Sequence, residues 1–220
     1  MPRRQKTQEL NHDEYKRALI RFLKTIPPSR RIISNHHEVV KPRSSQQRAT
    51  KYPEMKPAGL WYSVGDSWLE WCLAEDFNLD STYVHELTIN EDLIIKVTNE
   101  AEFDALVAEY GIYDEFSLQY QGQTSYGVEL PPNYLDWPKL ASKYAGLEIA
   151  PYLWSKRLNG GLWYYGWDCA SGCIWDKAAI QNVRLYAKYH PKVRGFRRVK
   201  HEQSQAIRAQ CHQTVCVEGG

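Results

Sequence analysis

The chain has 220 residues, 43% of them hydrophobic and 25% charged, the balance of one ordinary folded domain or two small ones and not of a disordered chain. No apolar run approaches the roughly 18 residues of a membrane span, no signal peptide follows Met1, and the five cysteines are odd in number; secretion and membrane spanning are disfavoured, and a reducing cytosol or nucleus is expected. The net charge of +2 conceals a segregation, with +9 on residues 1–57, −14 on 58–152 and +7 on 153–220, so basic arms that can meet a polyanion flank an acidic body.

In chain order, Asn11-x-x-Glu14 is a variant capping box, and Tyr15, Leu19, Phe22, Leu23 and Ile26 follow at helical spacing until Pro27-Pro28 ends the pattern. Ile32-Ile33 and Val39-Val40 predict one strand or two short ones around Ser34-Asn35-His36-His37-Glu38, and residues 41–57 read as a long basic connection. Gly59 to Val64 is a strand signal, after which Asp66 can cap a short helix that turns Trp68, Leu69 and Cys72 inward. Tyr83 to Ile89 and Leu93 to Thr98 flank Asn90-Glu91-Asp92 as a hairpin would. Asn99 with Glu102 opens a capped helix carrying Phe103, Leu106, Val107 and Tyr110, with Gly111 as its stop.

Residues 112–135 read as a loop, Asp136-Trp137-Pro138 starts a helix that ends at Gly146, and Leu147-Glu148-Ile149 resumes as a strand. Gly161 to Trp167 is then expected as a strand, Asp168 to Asp176 as a turn, Lys177 to Lys188 as a last helix, and the final thirty residues as a weakly structured basic tail. Short strands with hairpin signals, lacking regular βαβ spacing, predict an α+β fold with a mainly antiparallel sheet and short flanking helices. The organisation is a basic N-terminal helix (1–30), a core domain (31–190) and a basic C-terminal tail (191–220).

Eight Trp and fifteen Tyr stand against five Phe, with the Trp crowded into 61–71 and 154–175. Rings with a polar handle suit sites that are half buried and half wet, including pockets that stack a flat ligand; an aromatic-lined carbohydrate site has only this count behind it. Cys169-x-x-x-Cys173 and Cys211-x-x-x-x-Cys216, with His201 and His212, have poor spacing for zinc, so no metal is expected. No Walker or dinucleotide loop and no G-x-S-x-G occurs. His36-His37, near the end of an apolar run, is costly unless solvated or employed. Period-two geometry sends Leu147 and Ile149 to one sheet face and Glu148 to the other, between the small residues Gly146 and Ala150, which leaves room for a ligand beside a carboxylate.

Lys56-Pro57-Ala58-Gly59-Leu60-Trp61-Tyr62-Ser63, followed by Trp68-x-x-Trp71-Cys72, resembles the K-P-x-G-L-W-x-S signature of a poorly characterised family of small proteins. Asp136-Trp137, Gly146-Leu147-Glu148-Ile149-x-Pro151-Tyr152 and Trp163-Tyr164-x-x-Trp167-Asp168-x-x-Ser171-Gly172-Cys173-Ile174-Trp175 extend the match in order over 56–175. The layout resembles the ADP-ribosyltransferase plan, in which a first strand offers His or Arg, a second an aromatic and a Ser, and a late strand the acidic residue. The stretch Ile33 to Glu38 departs from the aromatic-His-aromatic-Ser pattern of that plan's first strand, leaving His36 or His37 for the position.

The resemblance implies an ADP-ribosyltransferase-like fold and an NAD-dependent enzyme transferring ADP-ribose to protein or nucleic acid. Glu148 would stabilise the developing ribosyl cation, and Ser63 would position it by a hydrogen bond. His36 would contact ribose or phosphate, and Trp61 or Tyr62 would stack on nicotinamide. Arg194, Arg197, Arg198 and Lys200 would hold nucleic acid. The alternative is a non-catalytic nucleic-acid-binding α+β module with basic arms.

Overall fold

The computed structural model describes residues 11–49, 54–113 and 131–200. Helix α1 (His12–Leu23) begins where Asn11 accepts a hydrogen bond from the Glu14 amide, and buries Tyr15, Ala18, Leu19, Phe22 and Leu23 along one face. Strands β1 (Arg31–Asn35) and β2 (Leu60–Val64) follow, then α2 (Ser67–Ala74), β3 (Tyr83–Ile89), β4 (Ile94–Val97) and α3 (Glu100–Tyr110). A small hairpin pairs β5 (Gly111–Ile112) with β6 (Tyr134–Leu135). Beyond it lie a short helix at Trp137–Ala141, β7 (Gly146–Ile149), a single turn of helix at Leu162–Tyr165, β8 (Ser171–Ile174), β9 (Ile180–His190) and β10 (Gly195–Arg198).

Eight strands form one sheet in the order β10-β9-β3-β1-β2-β8-β7-β4, antiparallel except where β4 runs parallel to β7. The fold is therefore α+β with a large, mostly antiparallel sheet. One face carries Ile32 and Val84 beneath α1 and α2, and Trp61, Leu147 and Ile149 beneath α3 and the Trp163–Trp167 segment. We call this the helical face. The opposite face buries Ile33, Tyr62, Leu87, Ile94 and Ile174. No helix among the described residues is long and apolar enough to cross a membrane.

Three expectations are corrected. The residues read as a hairpin do not pair: β3 lies between β1 and β9, while β4 pairs with β7 at the sheet edge. Lys177–Lys188 is not a helix; a one-turn 3-10 segment at Lys177–Ala179, capped by Asp176, feeds the eleven-residue strand β9. Register shifts opposite Val84/His85 and Thr88/Ile89 bury Leu185, Tyr186 and Ala187 consecutively, which breaks the alternation that announces a strand. The roles of 161–176 are exchanged, since Leu162–Tyr165 is helical and the stretch expected as a turn contains β8. The basic segments at either end join the core as far as they are described. α1 packs against β10, with Phe22 stacked on Phe196 at 4.6 Å, and β10 is the edge strand.

Candidate ligand cleft and a buried ion network

Glu148 lies on β7, opposite Gly172 of β8, which in turn faces Tyr62 of β2. It is 6% exposed. The space expected for a ligand is filled by the protein itself. Arg31 grips the carboxylate with two donors, Nε to Oε2 at 2.5 Å and Nη2 to Oε1 at 3.0 Å, and the Tyr62 hydroxyl donates to Oε2 at 2.9 Å. A fork on a carboxylate is the strong, directional form of the ion pair. Gly172 makes this arrangement possible, because a Cβ there would fall 2.4 Å from the Tyr62 phenol. Gly146 leaves no vacancy either, since a Cβ on it would meet Ile94 Cδ1 and the Cys173 carbonyl at 2.7 Å.

The network continues outward. Arg31 Nη1 reaches Glu91 Oε1 at 2.8 Å, and Lys96 closes on the other Glu91 oxygen. Burial opposes the charge of Arg31, but the hydrogen bonds and charge of Glu148 outweigh it and hold its pKa above the ordinary value. Burial first, then the Glu148 charge, raises the Tyr62 phenol. Lys96, then Arg31, lowers Glu91. The chain Lys96–Glu91–Arg31–Glu148–Tyr62 ties four strands together.

Period-two geometry puts Trp61 and Ser63 on the helical face, away from Glu148 and Tyr62. The Ser63 hydroxyl donates to the Ile32 carbonyl at 3.5 Å, and the hydrogen bond expected from Ser63 to Glu148 comes from Tyr62 instead. His36 lies beyond the end of β1 and meets Asp80 at 3.5 Å; the His37 amide donates to the Asn35 side chain. The sheet thus separates the residues that the sequence reading joined. Tyr62 is with Glu148, Trp61 is with Ser63, and neither group includes His36.

Trp61 and Ser63 instead line a cleft of about 320 Å³ on the helical face, together with Ser34, Trp68, Trp167, Asp168 and Ser171. Such a volume is at the small end for ligand pockets, enough for a flat ring and an attached sugar. Trp61 and Trp167 meet edge to face at 5.0 Å. Trp68 stacks on Trp71 at 5.0 Å, continuing the aromatic wall along α2. Lys56 sits over the Trp61 ring at 5.4 Å. The cleft exists because the two helical clusters on this face leave the β1–β2–β8 centre uncovered between them.

Asp168 is the carboxylate at this cleft. Its side chain is partly exposed, and among the described residues it meets only cations at long range, Arg157 Nη2 at 3.7 Å and Lys56 Nζ at 3.9 Å. Its position is fixed by the backbone before it. The Trp167 carbonyl accepts from the Tyr152 hydroxyl at 2.7 Å and from Arg157 Nη1 at 3.2 Å. Just after it, the Ala170 carbonyl accepts from Val64 N at 2.9 Å and from the Ser67 hydroxyl at 2.7 Å. Two buried polar atoms of cleft residues, Ser34 Oγ and Trp167 Nε1, have no hydrogen-bond partner among the described residues.

Cys169 also borders the cleft, but burial pushes its thiol up to about 11 and that of Cys72 to about 12, so neither is a ready nucleophile at neutral pH. Among the described residues no group of three or more His, Cys, Asp or Glu could hold a metal ion; Cys211, Cys216, His201 and His212 lie outside them. Sequence reasoning passes over Asp168, Trp167 and Arg31. The signal for Asp168 is its place between two Trp in the Trp167-to-Trp175 motif, but that stretch reads as a turn. No family model, no curated protein and no solved structure matches the chain.

Proposed function

We propose that the tryptophan-walled cleft on the helical face binds NAD and that the protein is an ADP-ribosyltransferase-like enzyme in which Asp168, not Glu148, is the working carboxylate. One observation carries the reading. The cleft gathers a residue from a first strand (Ser34), an aromatic and a serine from a second (Trp61 and Ser63), and an acidic residue from the segment three residues before a late strand (Asp168), all on one face. The second-strand aromatic and serine match the layout the motifs resemble, while Ser34 stands where that layout has His or Arg and the acid is displaced from β7 to the segment entering β8. Glu148 is a poor candidate, because its oxygens already hold Arg31 and Tyr62.

NAD supplies the chemistry through its nicotinamide–ribose bond: that bond breaks, its electron pair leaves with the nicotinamide nitrogen, and an acceptor nucleophile bonds to the ribose carbon while giving up its proton. The residues of this chain bind and orient. Trp61, half-buried and braced edge to face by the buried Trp167, offers its ring to a flat heterocycle. Ser63 and Ser171, directly paired across β2 and β8, donate to the Ile32 and Cys169 carbonyls and keep hydroxyl lone pairs that can accept from an amide or a sugar. Asp168 places negative charge where positive charge grows on the ribose, and Lys56 and Arg157 stand far enough away to leave its oxygens free to accept hydrogen bonds.

The test is incubation of the full chain with labelled NAD plus RNA, DNA and cell lysate, reading which fraction gains label. Transfer by the wild-type chain that is abolished in Asp168→Asn and retained by a folded Glu148→Gln supports the reading. Absence of transfer, together with absence of NAD binding, removes it.

A further inference from the structure

The helical packing of α1 leaves a second feature that the cleft does not use. Arg17, Arg21 and Lys24 are exposed and recur at i, i+4 and i+7, one solvent-facing stripe of α1. The stripe is fastened beside β10. Arg21 Nη2 donates to the Arg194 carbonyl at 3.2 Å, and Arg198 Nη2 donates to the Thr25 carbonyl at 2.7 Å. Those bonds use one N–H of each guanidinium and no charge, so Arg21 and Arg198 remain cations with donors to spare. Nearby carboxylates are few: Glu14 pairs with Arg194, Asp76 pairs with Lys16, and Asp13 stands one turn before Arg17 at the start of the same stripe. Among the described residues Arg17, Arg21, Lys24, Arg197, Arg198 and Lys200 have no carboxylate partner.

We propose that this α1–β10 edge is a docking surface for the phosphate backbone of a nucleic acid. A helix rises about 1.5 Å per residue, so the stripe runs roughly 10 Å, long enough for its cations to meet successive phosphates of one strand. Unpaired cations held at that spacing release counterions when they meet phosphates, which drives binding without base contacts. An anionic membrane is a poorer match, because the apolar face of α1 is committed to the sheet and Ile20 is the one large apolar side chain that the helix exposes. The assignment differs from one based on the C-terminal basic run alone. It adds Arg17 and Arg21 of α1 and its C-cap Lys24, while Arg194 shares its charge with Glu14 at 3.1 Å. Register pairs Arg197 with Lys188, so Arg197 projects from the other side of the same edge strand. The surface does not depend on the reading of the cleft.

The experiment is fluorescence anisotropy of a labelled 20-nucleotide single-stranded RNA, and of the DNA of the same sequence, titrated with the full chain across a salt series. The wild-type chain is expected to bind both, with an affinity that falls steeply with salt. The triple variant Arg17→Gln/Arg21→Gln/Lys24→Gln leaves Tyr15, Leu19 and Phe22 in place. It should flatten the log–log salt slope by about 2, because each of three phosphates left unneutralised removes about 0.7, and weaken binding at least tenfold at low salt. Arg197→Gln/Lys200→Gln, on a different element, should flatten the slope by about 1.4, and it guards against a folding artefact in α1. Lys139→Gln/Lys143→Gln, at the Tyr110 end of the molecule, should leave the slope unchanged. Asp168→Asn should bind as the wild type does, which separates this surface from the cleft. Absence of binding to both oligonucleotides, an unchanged slope in a folded triple variant, or binding to phosphatidylserine vesicles in preference to oligonucleotides would overturn the proposal.

Discussion

Replacing Glu148 with Gln removes one charge from a buried bidentate pair and leaves the rest of the strand intact. Arg31 and Glu148 have side chains 15% and 8% exposed, so solvent screening cannot rescue the orphaned guanidinium. Breaking such a pair from one side costs about 3–5 kcal/mol. Arg31 keeps Glu91 at 2.8 Å, and the Gln amide can still accept from Tyr62, which places the expected loss at the lower end, about 3 kcal/mol. For a chain of this length each kcal/mol shifts Tm by about 2–4 °C, so thermal melts of Glu148→Gln should fall by about 6–12 °C. Removing both partners in Glu148→Gln/Arg31→Met should recover much of that loss, because the desolvation cost of the unpaired cation goes with it. Circular dichroism melts of the wild type, the two single variants and the double variant complete the cycle. If Glu148→Gln melts within about 1 °C of the wild type while NAD-dependent transfer disappears, the carboxylate is catalytic and the structural role given to it is wrong.

Three further outcomes follow from the same geometry. Asp168→Asn should melt within a few degrees of the wild type, since partly exposed ion pairs at 3.7 and 3.9 Å contribute about 0–1 kcal/mol, while transfer rates drop about 100-fold or more; an unchanged rate would remove Asp168 from the chemistry. Gly172→Ala should destabilise the fold by displacing the Tyr62 phenol from Glu148, by about 1–3 kcal/mol as overpacking usually does, and a neutral result in urea unfolding would show that the ring has room to move. Cys72 and Cys169, raised from 9.0 to about 12 and about 11, should resist alkylation at pH 8 in site-resolved mass spectrometry. Because these folded-state values are raised, the associated stability is whole below pH 9 and is lost as pH climbs through 11; Tyr62, also raised, adds to the loss above pH 10. Fast labelling of native Cys169 at pH 8 would contradict its burial.

Local chemistry makes much of the fold legible. Asn11 and Asn99 cap the helices that their side chains announce and Gly111 ends α3, whereas Asp66 stands before α2 without a side-chain capping bond to it. The alternation around Glu148 places Leu147 and Ile149 on one face of β7 as read. What stays hidden in the string depends on long-range pairing. Nothing local says that β4 should seek β7 in parallel, and the 5-residue β1 gains its place from partners 31 and more residues away, such as Ser63 and His85. β9 escapes a period-two reading because its bulges bring three consecutive side chains into the core. The site is obscured in the same way. Adjacent residues Trp61, Tyr62 and Ser63 look like one constellation in a string, but a strand deals them to opposite faces, and only the register of β1, β2 and β8 reveals which acid joins which aromatic.

The most direct measurement is a crystal structure of the full chain soaked with NAD or nicotinamide. The cleft reading predicts density for the flat ring against Trp61, with the ribose turned toward Asp168 and Ser63. Density on the opposite face beside Glu148 and Tyr62, with Arg31 swung away, would contradict it.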